Sequence, residues 1–327
     1  MQNNKQAKLS FSSLSISSKL ILVSVLIMGF SLCCLLKLTW DTRLDYSFGY
    51  LAPIFVLYII YDRFPNIKKT LEASPLENNR GINIFCDVLF STMLFCGLMV
   101  FLFFGFIFYR TMNWGVPSFG MAFGFAFTFF ALMYFFCDKN IRNEKLDIYT
   151  RLNFLTLFVF PCFIWLVAAP TFAAVEKRIS LFLLGKVATV VVSIMDMLGY
   201  VVSQHGNTIS FPKGTVGVAD ACSGIRSLTA CLFAGSFLAA ALLNKFWKKI
   251  LLVGLSMLLA FFFNLIRALF LTFWAYENGS ESINGFVHDA AGYFVLGMTV
   301  VGLMIFTSIF NFNPIPPEYR NKQGNEE

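Results

Sequence analysis

Three residues in the C-terminal third have types and neighbours that suit acyl transfer. Cys222 lies in the run Ala219-Asp220-Ala221-Cys222-Ser223-Gly224-Ile225-Arg226, which leads into a long apolar stretch. A thiolate there would attack a carbonyl and form a thioester. The start of a helix favours the thiolate, through its dipole and its unsatisfied N–H groups. Arg226, four residues on, adds positive charge to the same face. Arg267 closes Asn264-Leu265-Ile266-Arg267 and has apolar residues on both sides. A guanidinium in such surroundings is costly without a partner or a wet cavity, so it marks a function. Its chemistry would be to donate hydrogen bonds to a developing oxyanion. Asn264, three residues earlier, shares the helical face and can orient it. His288, beside Asp289 where the last apolar stretch begins, would move the proton to a leaving amine and from an incoming nucleophile.

Each residue also has a plainer reading. A Cys in an apolar environment is usually an inert small hydrophobe, and the other seven cysteines lie in long apolar runs. Arg226 reads equally as a headgroup anchor, Arg267 as half of a structural ion pair, and His288 as a cap. Asp289 is not assigned as a triad partner, and His205 reads as a loop residue. The set therefore weighs more than its members. No CxxC pair is present and His205 and His288 are the only histidines, so neither a metal nor an organic cofactor is suggested.

The elements that must hold these residues are set by composition. Of 327 residues, 57% are hydrophobic, 17% aromatic and 13% charged, with 41 Phe and a mean hydropathy of +0.71. The charged share is about half of the roughly 25% usual in soluble domains. A soluble enzyme, a disordered chain and a nucleic-acid-binding domain are excluded, and an all-α polytopic membrane protein is expected. The net charge of +7 reads as the Lys/Arg excess of cytoplasmic loops rather than as a nucleic-acid footprint.

Seven segments meet or nearly meet the length of a span, at about 20–38, 83–109, 118–137, 152–174, 223–243, 250–274 and 287–310. Segment 46–61 is shorter, but Tyr46, Tyr50, Tyr58 and Tyr61 suit an interfacial belt, giving about eight spans. The first apolar run lacks a cleavage site and reads as an uncleaved helix. Residues 1–19 form a polar cytoplasmic N-terminus, 20–310 one transmembrane domain, and 311–327 a polar cytoplasmic tail. Sixteen of the 25 Lys and Arg fall in 1–19, 62–81, 138–151, 244–249 and the tail. Placing all five in the cytoplasm requires that 179–199, which carries Lys186 and Asp196, does not cross. It is expected as an interfacial or re-entrant helix on the outer side. Alternating apolar residues around Gly206-Asn207 and Pro212-Lys213-Gly214 predict two or three short strands, a small β-hairpin cap before Cys222. This topology brings Cys222, Arg267 and His288 to similar depth on the outer face.

These residues resemble the exosortase/archaeosortase family of membrane-embedded transpeptidases. Ala221-Cys222-Ser223-Gly224-Ile225-Arg226-Ser227-Leu228 resembles the family's A-C-S-G-[IL]-R-S-L box. Asn264-Leu265-Ile266-Arg267 resembles its N-x-x-R box, and His288-Asp289-Ala290-Ala291-Gly292 its H-[DE]-x-x-G box. Tyr46-Ser47-Phe48-Gly49-Tyr50-Leu51-Ala52-Pro53 resembles an early Y-S-x-G-x-L-x-P segment. Many members have His where this chain has Phe48. The likeness extends over about residues 40–310.

The resemblance implies Cys222 as nucleophile, Arg267 as transition-state stabiliser and His288 as general acid/base, with Asp220, Ser223, Gly224, Arg226 and Asn264 in support. It implies a prokaryotic cytoplasmic (inner) membrane enzyme that cleaves C-terminal sorting signals, each a short motif, a transmembrane helix and a basic tail. The freed end would pass to a lipid or polysaccharide acceptor at the surface. Such signals would reach the site laterally from the bilayer. Two other readings stay open from the residues: a cysteine protease that releases its product to water, and a transporter or flippase in which the thiol is idle.

Overall fold

The structure, a computed structural model, describes residues 14–72, 80–110, 115–137, 146–218 and 224–311. Helices dominate because an apolar chain in a bilayer must satisfy its own backbone. Seven described helical stretches are long and apolar enough to cross a membrane: Ile16–Thr42, Gly81–Arg110, Gly115–Phe136, Ile148–Ala168, Ala173–Met197, Phe246–Asn278 and Phe286–Asn311. A shorter apolar helix covers Ser227–Leu242. The protein is a multi-pass membrane protein. It forms two compact units, Met1–Ser180 and Leu181–Glu327.

The first unit contains α1 (Ile16–Thr42), a 3-10 helix (Leu44–Leu51), α2 (Ala52–Asp62), α3 (Phe64–Leu71), α4 (Arg80–Arg110), α5 (Gly115–Phe136), α6 (Ile148–Thr156) and α7 (Val159–Ala168). It ends in the first turns of α8 (Ala173–Met197). Helices α4 and α5 pack closely through small residues. A Cβ on Gly124 would stand 2.5 Å from the Phe101 nitrogen and 2.8 Å from the Gly97 oxygen. In lipid, where burial gives little driving force between helices, such close approach supplies the attraction.

Two polar clusters mark the two ends of this unit. At one end, Trp40 Nε1 donates to the Ala168 carbonyl at 2.9 Å, and Thr39 and Ser118 share a hydroxyl bond at 3.1 Å. Glu176 there accepts from Arg43 and Tyr46 at 2.7 Å each and from the Thr171 main chain at 2.9 Å. Burial first, and the bond to Glu176 second, hold the Tyr46 phenol well above its usual range, so it remains a donor. At the other end, Asp87 of α4 accepts from Tyr134 of α5 at 2.8 Å and from Arg151 of α6 at 3.3 Å. The fully buried Arg151 also lies 3.7 Å over the Tyr134 ring. The two clusters fix the helix directions as an up-and-down bundle.

Between α6 and α7 the helix breaks because Pro161 has no N–H to offer the Leu157 carbonyl four residues back. The buried Arg63 guanidinium donates to that carbonyl instead.

One segment differs from the sequence expectation, and a second forms a longer helix than expected. Segment 46–61 is not one spanning helix. The 3-10 helix hands over to an 11-residue α2 with Pro53 in its first turn. The Trp40 indole lies flat against Gly49, where a Cβ would sit 2.1 Å from Nε1. Segment 179–199, expected as interfacial or re-entrant, belongs to a helix of 25 residues that is long and apolar enough to cross. Within it the Lys186 ammonium lies 5.7 Å from the centre of the Phe182 ring.

The Gly49 contact sets a test. Gly49→Ala should lower stability by about 1–3 kcal/mol, the usual cost of overpacking. Thermal unfolding of the detergent-purified protein measures it. A midpoint equal to wild type would remove the indole from the account.

The second unit contains α8 from Leu181 onward, a three-stranded sheet, α9 (Gly224–Leu242), α10 (Phe246–Asn278), a short 3-10 turn (Ser280–Ile283) and α11 (Phe286–Asn311). The sheet is antiparallel in the order β1 (Ser203–His205), β2 (Thr208–Phe211) and β3 (Gly214–Gly217). His205 pairs with Thr208 across Gly206-Asn207, and Phe211 with Gly214 across Pro212-Lys213. Gly206 takes φ +63, as a two-residue hairpin turn requires. The inward faces of the strands, Ile209, Phe211 and Val216, pack with Leu184, Val187, Val191 and Met195 of α8 and Leu271 and Ala275 of α10. Lys213 Nζ donates to the Glu277 carbonyl at 3.1 Å, joining the turn to the end of α10.

Candidate active site

The two ends of the second unit are distinguishable. At one, Asn311 donates to the Leu242 carbonyl at 3.0 Å and Lys248 to that of Phe310. This gathers the end of α9, the start of α10 and the end of α11. The start of α9 therefore lies toward the other end, with the C-terminal half of α10 and the start of α11. Ser227 and Leu228 of α9 border a small cavity together with Ala260, Phe261 and Asn264 of α10. The first turn of α9 thus comes beside the Asn-x-x-Arg segment. Gly224 and Arg226 lie on that turn, whereas Asp220, Cys222 and Ser223 lie outside the described residues.

Asn264 and Arg267 are both buried on α10, at 5% and 9% exposure. Arg267 Nη2 donates to the main-chain carbonyl of His288, in the first turn of α11, at 3.1 Å. His288 is half-buried and Asp289 exposed. His205 is exposed on β1, away from this joint in the chain and paired within its hairpin.

Gly292, one turn after His288, lies against the guanidinium. A Cβ at Gly292 would stand 3.3 Å from Nη2 and 3.5 Å from Cζ of Arg267. A guanidinium is a planar fork of five donors, and the main-chain bond together with the bare Gly292 backbone restricts the plane in which those donors lie. That preorganisation is what an oxyanion donor requires, because no reorientation is then needed when charge develops.

Arg267 also forms part of a groove of about 450 Å³ between α10 and α11. Phe270 and Trp274 continue the wall along α10, with Phe286, Ala290 and Phe294 facing them from α11. Phe286 and Phe294 are strongly exposed at its rim. The sequence held a faint signal for this groove. Ile266, Phe270 and Trp274 recur at i, i+4 and i+8, but so do many apolar residues in a lipid-facing helix.

The sequence profile of the transmembrane exosortase family (Exosortase_EpsH) matches residues 40–305, which is 266 of the 327 residues. The chain belongs to the transmembrane exosortase family. Membership supports a membrane-embedded protease or transpeptidase in general terms. No curated protein and no solved structure matches the exosortase chain. Among the described residues no group of three His, Cys, Asp or Glu is placed to hold a metal ion. In this exosortase the Arg267 side chain of the second motif segment donates a hydrogen bond to the His288 main chain of the third.

Proposed function

We propose that this exosortase is a cysteine transpeptidase of C-terminal sorting signals. The observation that carries the reading is the Arg267–His288 joint, which brings residues suited to oxyanion binding and to proton transfer together on neighbouring helices. Cys222 is the nucleophile. Its thiolate attacks the scissile carbonyl, and Arg267 donates to the oxyanion. The C–N bond breaks as His288 gives a proton to the leaving amine, leaving a thioester. His288 then takes a proton from the acceptor nucleophile, which attacks the thioester and returns the thiolate. Asp220, Ser223, Gly224 and Arg226 support the nucleophile, and Asn264 orients Arg267.

The substrates are exported proteins that end in a short motif, a membrane helix and a basic tail. The acceptor is a lipid or polysaccharide at the cell surface. With 179–199 kept on the outer side, charge counting favours both termini in the cytoplasm of a prokaryotic inner membrane and the site on the extracytoplasmic face. The groove between α10 and α11, with Arg267 in its wall, favours lateral access from the bilayer.

The two histidines test the assignment. His288→Ala should reduce cleavage of a co-expressed tail-signal protein by about 10²–10⁴-fold, the range for a positioned acid–base group. His205→Ala should cleave at the wild-type rate. Gel analysis of substrate and product after matched expression reads both. Equal cleavage by His288→Ala and wild type would refute the proton-transfer role.

A further inference from the structure

The third motif segment ends in a glycine to which acid–base chemistry gives no part. Gly292 sits inside α11, where glycine weakens a helix relative to alanine. It has neither positive φ nor a turn to justify it, since the positive-φ glycines lie elsewhere. What it does have is a neighbour. Its missing Cβ would crowd Nη2, Cζ and Nη1 of Arg267 at 3.3, 3.5 and 3.8 Å. The same Nη2 donates to the His288 carbonyl one turn earlier on α11. The guanidinium therefore rests directly on the helix backbone over the space that a side chain at 292 would occupy. Gly297, five residues on in the same helix, has nothing within 4 Å of its own missing Cβ.

We propose that Gly292 is a positioning residue: its bare backbone lets the Arg267 guanidinium lie against α11 and be held by the His288 carbonyl. The residue touches no reacting atom. A methyl group at 292 displaces the guanidinium by a few tenths of an ångström and tilts the plane in which its donors point. The proposal rests on the reading of Arg267 as the oxyanion donor. It adds that the α11 backbone, and not only a side chain, sets that donor's place.

The test compares Gly292→Ala, Gly297→Ala and Arg267→Ala on one purified tail-signal protein carrying an apolar helix and a basic tail. Cleavage kinetics and thermal unfolding are measured for each. Both glycine variants should melt at or above the wild-type temperature, because alanine favours the helix. Gly292→Ala should nevertheless lose about three- to tenfold in kcat with KM unchanged, as a sub-ångström misplacement implies. Gly297→Ala should keep wild-type kcat. A Gly292→Ala enzyme with full kcat, beside an inactive Arg267→Ala, would overturn the positioning role and leave the site reading standing. A fall in kcat matched by a fall in melting temperature would assign Gly292 to the fold and also overturn it. Full activity in Arg267→Ala would overturn the site reading on which the proposal depends.

Discussion

Cys222→Ala is expected to leave a co-expressed tail-signal protein uncut. The whole proposed reaction runs through one S–C bond, and no hydroxyl or water replaces the thiolate at comparable rate. Loss of a nucleophile that works as part of a unit commonly removes catalysis down to the level of the remaining binding and oxyanion groups, a fall on the order of 10⁶ in kcat. Cys222→Ser should do little better, because a hydroxyl ionises far less readily than a thiol. The other cysteines supply internal controls. Cys137, Cys162 and Cys231 are buried. A thiol among apolar side chains behaves as a small hydrophobe. Their replacement by Ala should leave cleavage intact while Cys222→Ala abolishes it. Intact mass of the recovered substrate decides the matter. A cut in the Cys222→Ala strain equal to wild type would end the covalent reading.

Arg267→Lys should cost about 10²–10³ in kcat, the loss typical when one oxyanion donor is removed. The charge survives this change, so a charge-only role would be largely preserved. What is lost is the planar fork. Nη2 of that fork donates to the His288 carbonyl at 3.1 Å, and the bare Gly292 backbone lies against the guanidinium. An ammonium on a flexible stem has no such plane to fix. The fall should lie in kcat with KM little changed, because the interaction is made chiefly in the transition state. Thermal unfolding measured in parallel separates this from damage to packing, since Arg267 is 9% exposed and is part of the α10–α11 contact. Wild-type turnover by Arg267→Lys would show that neither fork nor plane matters to the chemistry.

Much of the architecture is legible because a bilayer leaves few choices. Runs of apolar residues of spanning length became helices of that length at 16–42, 81–110, 115–136, 246–278 and 286–311. The sheet was legible from alternation at Ile209, Phe211, Val216 and Val218 between turn dipeptides. Tertiary contacts decided what periodicity could not. The tyrosines of 46–61 look like an interfacial belt. Yet Tyr46 is buried against Glu176, 130 residues on, and Gly49 beneath Trp40. Charges at Lys186 and Asp196 argue against a crossing helix at 179–199, whereas the length and composition of α8 suit one.

The site was legible in its residue types rather than in its joints. Arg267 stood out because a guanidinium is costly in an apolar run, and Asn264 followed from its spacing. The bond from Arg267 reaches a backbone carbonyl, which every residue carries, so no pattern of side chains announces it. Gly292 was visible as part of a motif but not as a seat for a guanidinium. Its reason for being glycine lies on a different helix.

The central claim is a thioester on Cys222. It is tested most directly by adding hydroxylamine to the purified wild-type enzyme and a tail-signal protein, then weighing the product. Hydroxylamine attacks the thioester carbonyl, releases the thiol and leaves a hydroxamate at the new C-terminus. The account predicts hydroxamate product with wild type and none with Cys222→Ala. A product bearing only a free carboxylate, formed equally by wild type and Cys222→Ala, would contradict it.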